Sequence, residues 1–503
     1  MTSRQNTVTQ ADIAAVPGLD ALDAVSVIVG SQTDAEAIGI GVYSDADVPR
    51  SLGFDRADLA DAGFEGKAGS ALLLPQASGP DLVAVGLGPL ADVDAAGFRD
   101  AAASLVRTAS RRARLSLRVD DLAGVDPLSA IRAATEGALL AGYRYTALKK
   151  TSTHVPLISF TLDVPDTDGA DLAIAAAFVS ARATIVARDL ANTPPGHLTA
   201  TKLGEIAVEL GTRFGFGVEL FDKQALVELG CGGLLGVNQG STEEPRMIKL
   251  EYTPEDATGH LGLVGKGIMF DSGGISLKPS DPMHLLMKMD MSGAAAVLGA
   301  FTGLRDSGVR TRVTGWLMCT DNMPSGTAYK LGDVLTARDG TTVEVKNTDA
   351  EGRLVMMDAL VLANEAAVDA IVDIATLTGA ALVSLGAATA PIFGNDSRTV
   401  ELVRAASAAA DEPVWQLPLE QKYRRQLDST IADIANLGGP YAGATTAALF
   451  LQHFVGETPW AHLDIAGTMH ADQDDSWRTV GATGFGARIL LETARTFAKK
   501  DAA

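Results

Sequence analysis

Short apolar runs alternate with longer alanine-rich or amphipathic stretches along most of the chain. Residues 25–30, 38–42, 82–88, 115–119 and 157–162 are apolar runs bounded by polar turns and predict strands. The third, Leu82-Val83-Ala84-Val85-Gly86-Leu87-Gly88, is almost wholly apolar, as expected of a strand covered on both faces. A helix is expected over 95–113, with Arg107, Arg111, Arg112 and Arg114 near its end, where cations offset the helix dipole. A second helix is expected over 127–143. The polar stretch 164–169, with its proline and glycine, is the best domain boundary. A long helix follows over 170–191 and stops at Asn192-Thr193-Pro194-Pro195-Gly196, because proline cannot continue it. Beyond it, strands (218–221, 247–252, 261–270, 312–319, 370–375, 460–465) alternate with helices (201–214, 293–307, 353–367, 400–410, 485–497). Such alternation predicts parallel βαβ units. The fold class is α/β. An N-terminal α/β domain over residues 1–165, with accessory or assembly roles, precedes a larger C-terminal α/β domain over 170–503. The latter has a central, mostly parallel sheet flanked by helices. Ligands of such folds gather at the carboxyl ends of the strands.

Composition narrows the function classes. Hydrophobic residues make up 47% of the 503, enough for sizeable cores in two domains. Acids (62) outnumber Lys and Arg (41), so the formal net charge is −21, which argues against a general nucleic-acid-binding surface. The Arg107 to Arg114 cluster is the one foothold for the alternative, a DNA-binding or regulatory protein on the same fold. Two cysteines, Cys231 and Cys319, are too few for a disulfide framework or a thiolate metal site. The first twenty residues carry no signal-peptide pattern, and no apolar stretch runs membrane-spanning length without glycine or charge. A cytoplasmic protein is expected.

The chemistry concentrates in three segments. The strand 261–270 contains Lys266 and ends at Asp271-Ser272-Gly273-Gly274, a glycine-rich turn at a strand's carboxyl end. A lysine inside an apolar strand needs its charge compensated. Lys278 follows. Asp290 precedes a helix start at Ser292-Gly293, where taken singly it would serve as a cap. Asn347-Thr348-Asp349-Ala350-Glu351-Gly352-Arg353-Leu354 places two acids and a base at alternating positions, on one face if the segment is extended. Four carboxylates in one cleft repel unless cations bridge them. Two divalent ions about 3.5–4 Å apart would neutralise them, and hard oxygen ligands suit zinc, manganese, magnesium or cobalt.

Val264-Gly265-Lys266-Gly267-Ile268, the run from Phe270 to Lys278 and the octapeptide 347–354 together resemble the motifs of the leucyl aminopeptidases. Asn192-Thr193-Pro194-Pro195, Asn322-Met323-Pro324-Ser325-Gly326, Ala375-Thr376-Leu377-Thr378-Gly379-Ala380 and His462-Leu463-Asp464-Ile465-Ala466-Gly467-Thr468 add to the resemblance, in order, from about residue 180 to 488. It implies a metallo-exopeptidase acting on peptides with a free N-terminus, leucine and other apolar residues preferred. Asp271 and Glu351 would bridge two metals. Asp349 would complete the more exchangeable site, and Lys266 and Asp290 the tighter one. Lys278 would stay protonated toward the scissile carbonyl, and Arg353 would hold bicarbonate as general base. Met287, Thr376 and Gly379 would line the side-chain pocket. The resemblance also implies a homohexamer. His284 and His462 are assigned structural roles, since the carboxylate set is already complete.

Overall fold

The apolar runs become the strands of two separate sheets. The computed structural model describes residues 14, 16–31, 34–164 and 168–498. The expected domain boundary at 164–169 and the N-terminal stretch 1–20 therefore lie partly outside the described residues. The first sheet has the order Ser26–Val29, Ser159–Asp163, Arg114–Arg118, Ala37–Tyr43, Asp81–Gly88, Ala71–Leu74. Every neighbouring pair is parallel except the last, an edge strand paired antiparallel onto Asp81–Gly88. The helix expected over 95–113 is shorter, Ala95–Thr108. Only Arg107 lies in its last turn. Arg112 leaves the helix to pair with Asp81 at 2.7 Å, and Arg114 opens the next strand and pairs with Glu36 at 2.9 Å.

The second sheet has eight strands in the order Val414–Gln416, Ala390–Gly394, Trp460–Asp464, Ala370–Ala375, His260–Asp271, Arg312–Asn322, Arg246–Tyr252, Gly217–Phe221. Its central four are mutually parallel. The margins are not: Ala390–Gly394 pairs antiparallel with Trp460–Asp464, and the last two strands are antiparallel as well. An antiparallel neighbour needs a connection that starts and finishes at the same end of the sheet. The short helices Lys223–Leu229 and Gly232–Asn238 supply it.

Helices cover both faces, which accounts for the near-continuous apolar strands. Ser292–Phe301 and Ala487–Thr496 pack into the core of one face; Gly352–Glu365 and Gly443–Val455 fill the other. The helix Ala170–Asn192 lies between the domains, against Pro127–Gly142 of the first and Ser292–Phe301 of the second. By length and composition it could cross a membrane. Here it is a continuous core helix that carries Arg182, Arg188 and Asp189 and is buried along most of its second half.

One irregularity of the second sheet decides where the chemistry goes. Along the pair His260–Asp271 and Arg312–Asn322, Ile268 faces Thr320 but Asp271 faces Asn322, so the first strand holds one extra residue there. Alternation would put Lys266 and Asp271 on opposite faces, five positions apart. The bulge reverses the alternation and brings them to the same face.

Candidate active site

The four central parallel strands end together, and each delivers a polar residue to the same edge. His260–Asp271 ends in Asp271, Arg312–Asn322 in Asn322, Ala370–Ala375 runs into Thr376, and Trp460–Asp464 ends in Asp464. This is the carboxyl edge where α/β sheets bind ligands.

The octapeptide 347–354 is not extended. Residues 347–351 form a turn, and the helix Gly352–Glu365 starts at once. The shared-face argument for Asp349, Glu351 and Arg353 therefore does not hold, since a turn and a helical first turn have no two-residue period. Side-chain and main-chain hydrogen bonds set the shape instead. Asn347 Oδ1 accepts from the Asp349 amide at 2.8 Å, and Thr348 Oγ1 donates to the Gly273 carbonyl at 2.7 Å. Asn436 donates to the Asn347 carbonyl at 2.7 Å. The octapeptide is thus laced to the glycine-rich turn after Asp271. Gly273 has φ +87°, and a Cβ there would come within 2.7 Å of Asp349 Oδ1, so this turn needs glycine both for its conformation and for its space.

The structure brings all seven predicted metal and catalytic residues to one region. Oxygens of Asp271, Asp290 and Glu351 lie within 4.8 Å of one another, all three residues buried. Lys266 Nζ reaches Asp290 Oδ1 at 2.8 Å, Glu351 Oε1 at 3.0 Å and the Thr376 carbonyl at 2.7 Å. Lys278 Nζ reaches Asp271 Oδ2 at 2.8 Å and Asp349 Oδ1 at 2.6 Å. Asp290 does not cap the helix it precedes; Met291 holds that position, and the Asp290 carboxylate goes to Lys266 and to the Thr376 hydroxyl at 2.6 Å. Arg353 donates from Nη1 to the Asn436 carbonyl at 2.9 Å, while its buried Nε has no partner. Met287 is buried beside the core, and a Cβ added at Gly379 would meet open space.

Charge in this cluster is unbalanced. Burial pushes Glu351 and Asp290 well above the usual carboxylate range, and Asp271 pushes both further. Asp349 is raised for the same two reasons. Burial works to deprotonate the lysines, but the carboxylates outweigh it: Asp290, Glu351 and Asp271 around Lys266, and Asp271, Glu351 and Asp349 around Lys278. Both sets of groups are thus held toward their protonated forms, the sign of more negative charge than the lysines cancel. Asp290 Oδ2 and Glu351 Oε2 are buried without a hydrogen-bond partner. Orphaned carboxylate oxygens in a field of excess negative charge fit divalent cations. As folded here, the surrounding carboxylates hold the Lys266 nitrogen toward its ammonium form.

A family model described as the cytosol aminopeptidase catalytic domain matches residues 185–491, and its N-terminal domain counterpart matches residues 57–152. A probable cytosol aminopeptidase of Desulfovibrio desulfuricans is 44% identical over 455 residues, covering 86% of this chain and 89% of that protein. One from Roseiflexus castenholzii is 40% identical over 491 residues, covering 94% and 99%. The chain belongs to the cytosol aminopeptidase family. Among solved structures, the bottromycin maturation enzyme BotP in complex with Mn superposes with a TM-score of 0.84 at 40% identity, covering 92% of this chain and 99% of that one. Membership makes this chain a metal-dependent hydrolase of the aminopeptidase class.

Several residues that shape this aminopeptidase site carried no assigned role in the sequence. Asn322 Nδ2 donates to Asp271 Oδ1 at 2.8 Å and to the Thr348 carbonyl at 2.9 Å, fixing the carboxylate's orientation. Its place at the start of a family-like motif was the available signal. Tyr329 donates to the same Thr348 carbonyl at 2.8 Å. Asp464 accepts from the Thr378 hydroxyl at 2.7 Å and holds the turn that carries Gly379. Asn436 lies between unremarkable residues and left no signal at all. Neither histidine joins the cluster of Asp271, Asp290 and Glu351. His462 Nδ1 pairs with buried Asp373 at 2.5 Å, and His284 stacks on Phe270 with ring centroids 5.8 Å apart.

Proposed function

We propose that this aminopeptidase releases single residues from peptide N-termini, with leucine and other apolar side chains preferred, at the cluster of Lys266, Asp271, Lys278, Asp290, Asp349, Glu351 and Arg353. The observation that carries this is the pair of lysines, Lys266 buried and Lys278 half-buried, clamped among four carboxylates, with Asp290 Oδ2 and Glu351 Oε2 orphaned. Asp271 and Glu351 would bridge two divalent ions, manganese or zinc, with magnesium or cobalt as substitutes. Asp349 would complete the more exchangeable site, and Lys266 and Asp290 the tighter one. When bound, such ions polarise a peptide carbonyl and acidify a water.

The chain's own groups do the rest. Lys278 has a more open side chain than Lys266, 19% against 3% exposed, so its ammonium can turn to a substrate. It donates from Nζ to the scissile carbonyl oxygen as negative charge develops there. Arg353 spends Nη1 on the Asn436 carbonyl and leaves its buried Nε without a partner, so this guanidinium would hold bicarbonate, which would supply a general base beside the carboxylates. Burial lowers the Arg353 pKa to about 10, still charged at neutral pH. Thr376 spends its hydroxyl on Asp290, so it holds a metal ligand while its main chain walls the side-chain pocket with Met287 and the bare Cα of Gly379. We assign residues 1–165 to the accessory domain and 170–503 to the catalytic one, in a cytoplasmic homohexamer.

Purified protein is expected to release p-nitroaniline from Leu-p-nitroanilide, to lose this activity to a chelator, and to regain it with manganese or zinc. Full activity in the Asp349→Ala, Glu351→Ala double variant would overturn the site.

A further inference from the structure

A cavity of about 890 Å³ opens between the two domains, and none of the carboxylate-cluster residues lines it. One wall comes from the end of the first domain's helix Ala95–Thr108 and the segment after Pro127–Gly142; the other carries Asn192, Lys288 and Val480. Its lining includes Arg107, Arg111, Arg112, Arg144, Lys149 and Lys288, and no aspartate or glutamate. A chain of net charge −21 has gathered six cations on one concave surface.

Internal pairing accounts for only part of that charge. Arg112 meets Asp81 at 2.7 Å. Arg107 and Arg144 share one carboxylate, Asp474, behind the wall. Arg107 also donates to the carbonyls of Ala141, Ser476 and Arg478, which fixes its position across the domain boundary. Burial and the neighbouring Arg144 lower its pKa to about 10, the effect of two cations crowded together. Lys288 spends a donor on the Asn192 carbonyl at 2.9 Å. Arg111 and Lys149 are exposed and meet no carboxylate within salt-bridge distance among the described residues. Like charges held together in a concavity cost energy unless a counter-charge joins them.

We propose that this interdomain cavity binds a compact polyanion of the phosphate class, through Arg111, Lys149 and Lys288 with the Arg107–Arg144 pair behind them. Guanidinium forks match phosphate oxygens two at a time, and lysines add point charge. Tyr145, the one phenol on the wall, ties its hydroxyl to Thr193 at 3.1 Å, so that hydroxyl is not a spare donor for the anion. The volume suits a di- or triphosphate and not a duplex, which separates this site from a DNA groove.

The test is calorimetric and independent of hydrolysis, so its outcome does not depend on the proposed peptidase reaction. Diphosphate is titrated into manganese-loaded protein, both solutions at the same free manganese concentration. Binding that weakens at least tenfold in Arg111→Ala, Lys149→Ala, and persists in Arg353→Ala and in Asp349→Ala, supports the site. No binding by the unmodified protein, unchanged binding in the Arg111, Lys149 double variant, or loss in the Arg353 or Asp349 variant would overturn it. The last would place the anion at the metal cluster. Adenosine diphosphate serves as a second probe. Affinity equal to diphosphate identifies free phosphates as the ligand, and tighter binding identifies a nucleotide, with the phosphate contacts in common.

Discussion

Lys266 and Lys278 neutralise the same carboxylates from different surroundings, and this difference separates their roles. Lys266 has three acceptors within 3.0 Å and almost no exposure, so removing it leaves Asp290 and Glu351 as adjacent uncompensated acids. Lys278 touches Asp271 and Asp349 from a more open position. Lys278→Ala is expected to lower kcat about a hundredfold, the usual effect of losing one contact to developing charge, with metal content nearly unchanged by elemental analysis. Loss of metal with the activity would instead make Lys278 part of the metal-holding set. Lys266→Ala is expected to show that second pattern.

The element that confines Lys266 is the helix Gly352–Glu365. A Cβ at Gly352 would lie 2.6 Å from Lys266 Cε and 2.8 Å from its Nζ. The far end of a lysine can usually move aside, but here three partners hold it. Gly352→Ala is therefore expected to keep the fold, since alanine is the better helix former, and to lower kcat/KM at least tenfold with weaker metal retention. Normal kinetics in a well-folded variant would mean that the lysine moves freely.

Elements of this kind differ in how far the sequence reveals them. The central strands were legible, because strands covered on both faces read as continuous apolar runs. Gly443–Val455 was not: its leading glycine and its threonines weaken the helix signal of its alanines, and its place is set by packing on Gly352–Glu365. The octapeptide was legible as chemistry but not as shape, because its turn depends on Asn436, almost ninety residues away in sequence. The bulge before Asp271 was hidden for a related reason. It exists only as a mismatch between two strands.

At the scale of the molecule, charge also joins the domains. Glu136 of the first domain takes Arg99 at 2.8 Å and Arg488 of the second at 3.5 Å, and Arg132 reaches Glu492 at 2.7 Å. Glu136 and Arg488 are buried. Burial would raise the Glu136 pKa, but Arg99, Arg488 and Arg132 outweigh it and hold it below the ordinary 4.5. Removing one partner of a buried ionic set strands the others, at a cost of about 3 kcal/mol. Glu136→Gln is expected to lower the unfolding midpoint accordingly at neutral pH. A group with a depressed native pKa stabilises fully above its unfolded value and less as pH falls through the native one. The gap between variant and unmodified protein should therefore narrow below pH 4.5, as followed by thermal denaturation across pH. A gap that does not change with pH would mean that packing, not charge, joins the domains here.

The extra residue between Ile268 and Asp271 gives the catalytic edge an unusual kind of fragility. Substituting Met269 or Phe270 changes what the strand is made of but leaves its length alone, so a scan of substitutions would report tolerant positions. Deleting either one keeps an apolar composition and a plausible core, yet turns Asp271 to the far side of the sheet from Lys266. The proposed metal-holding arrangement is thus written partly as a count of residues, and only variants that change the count can read it.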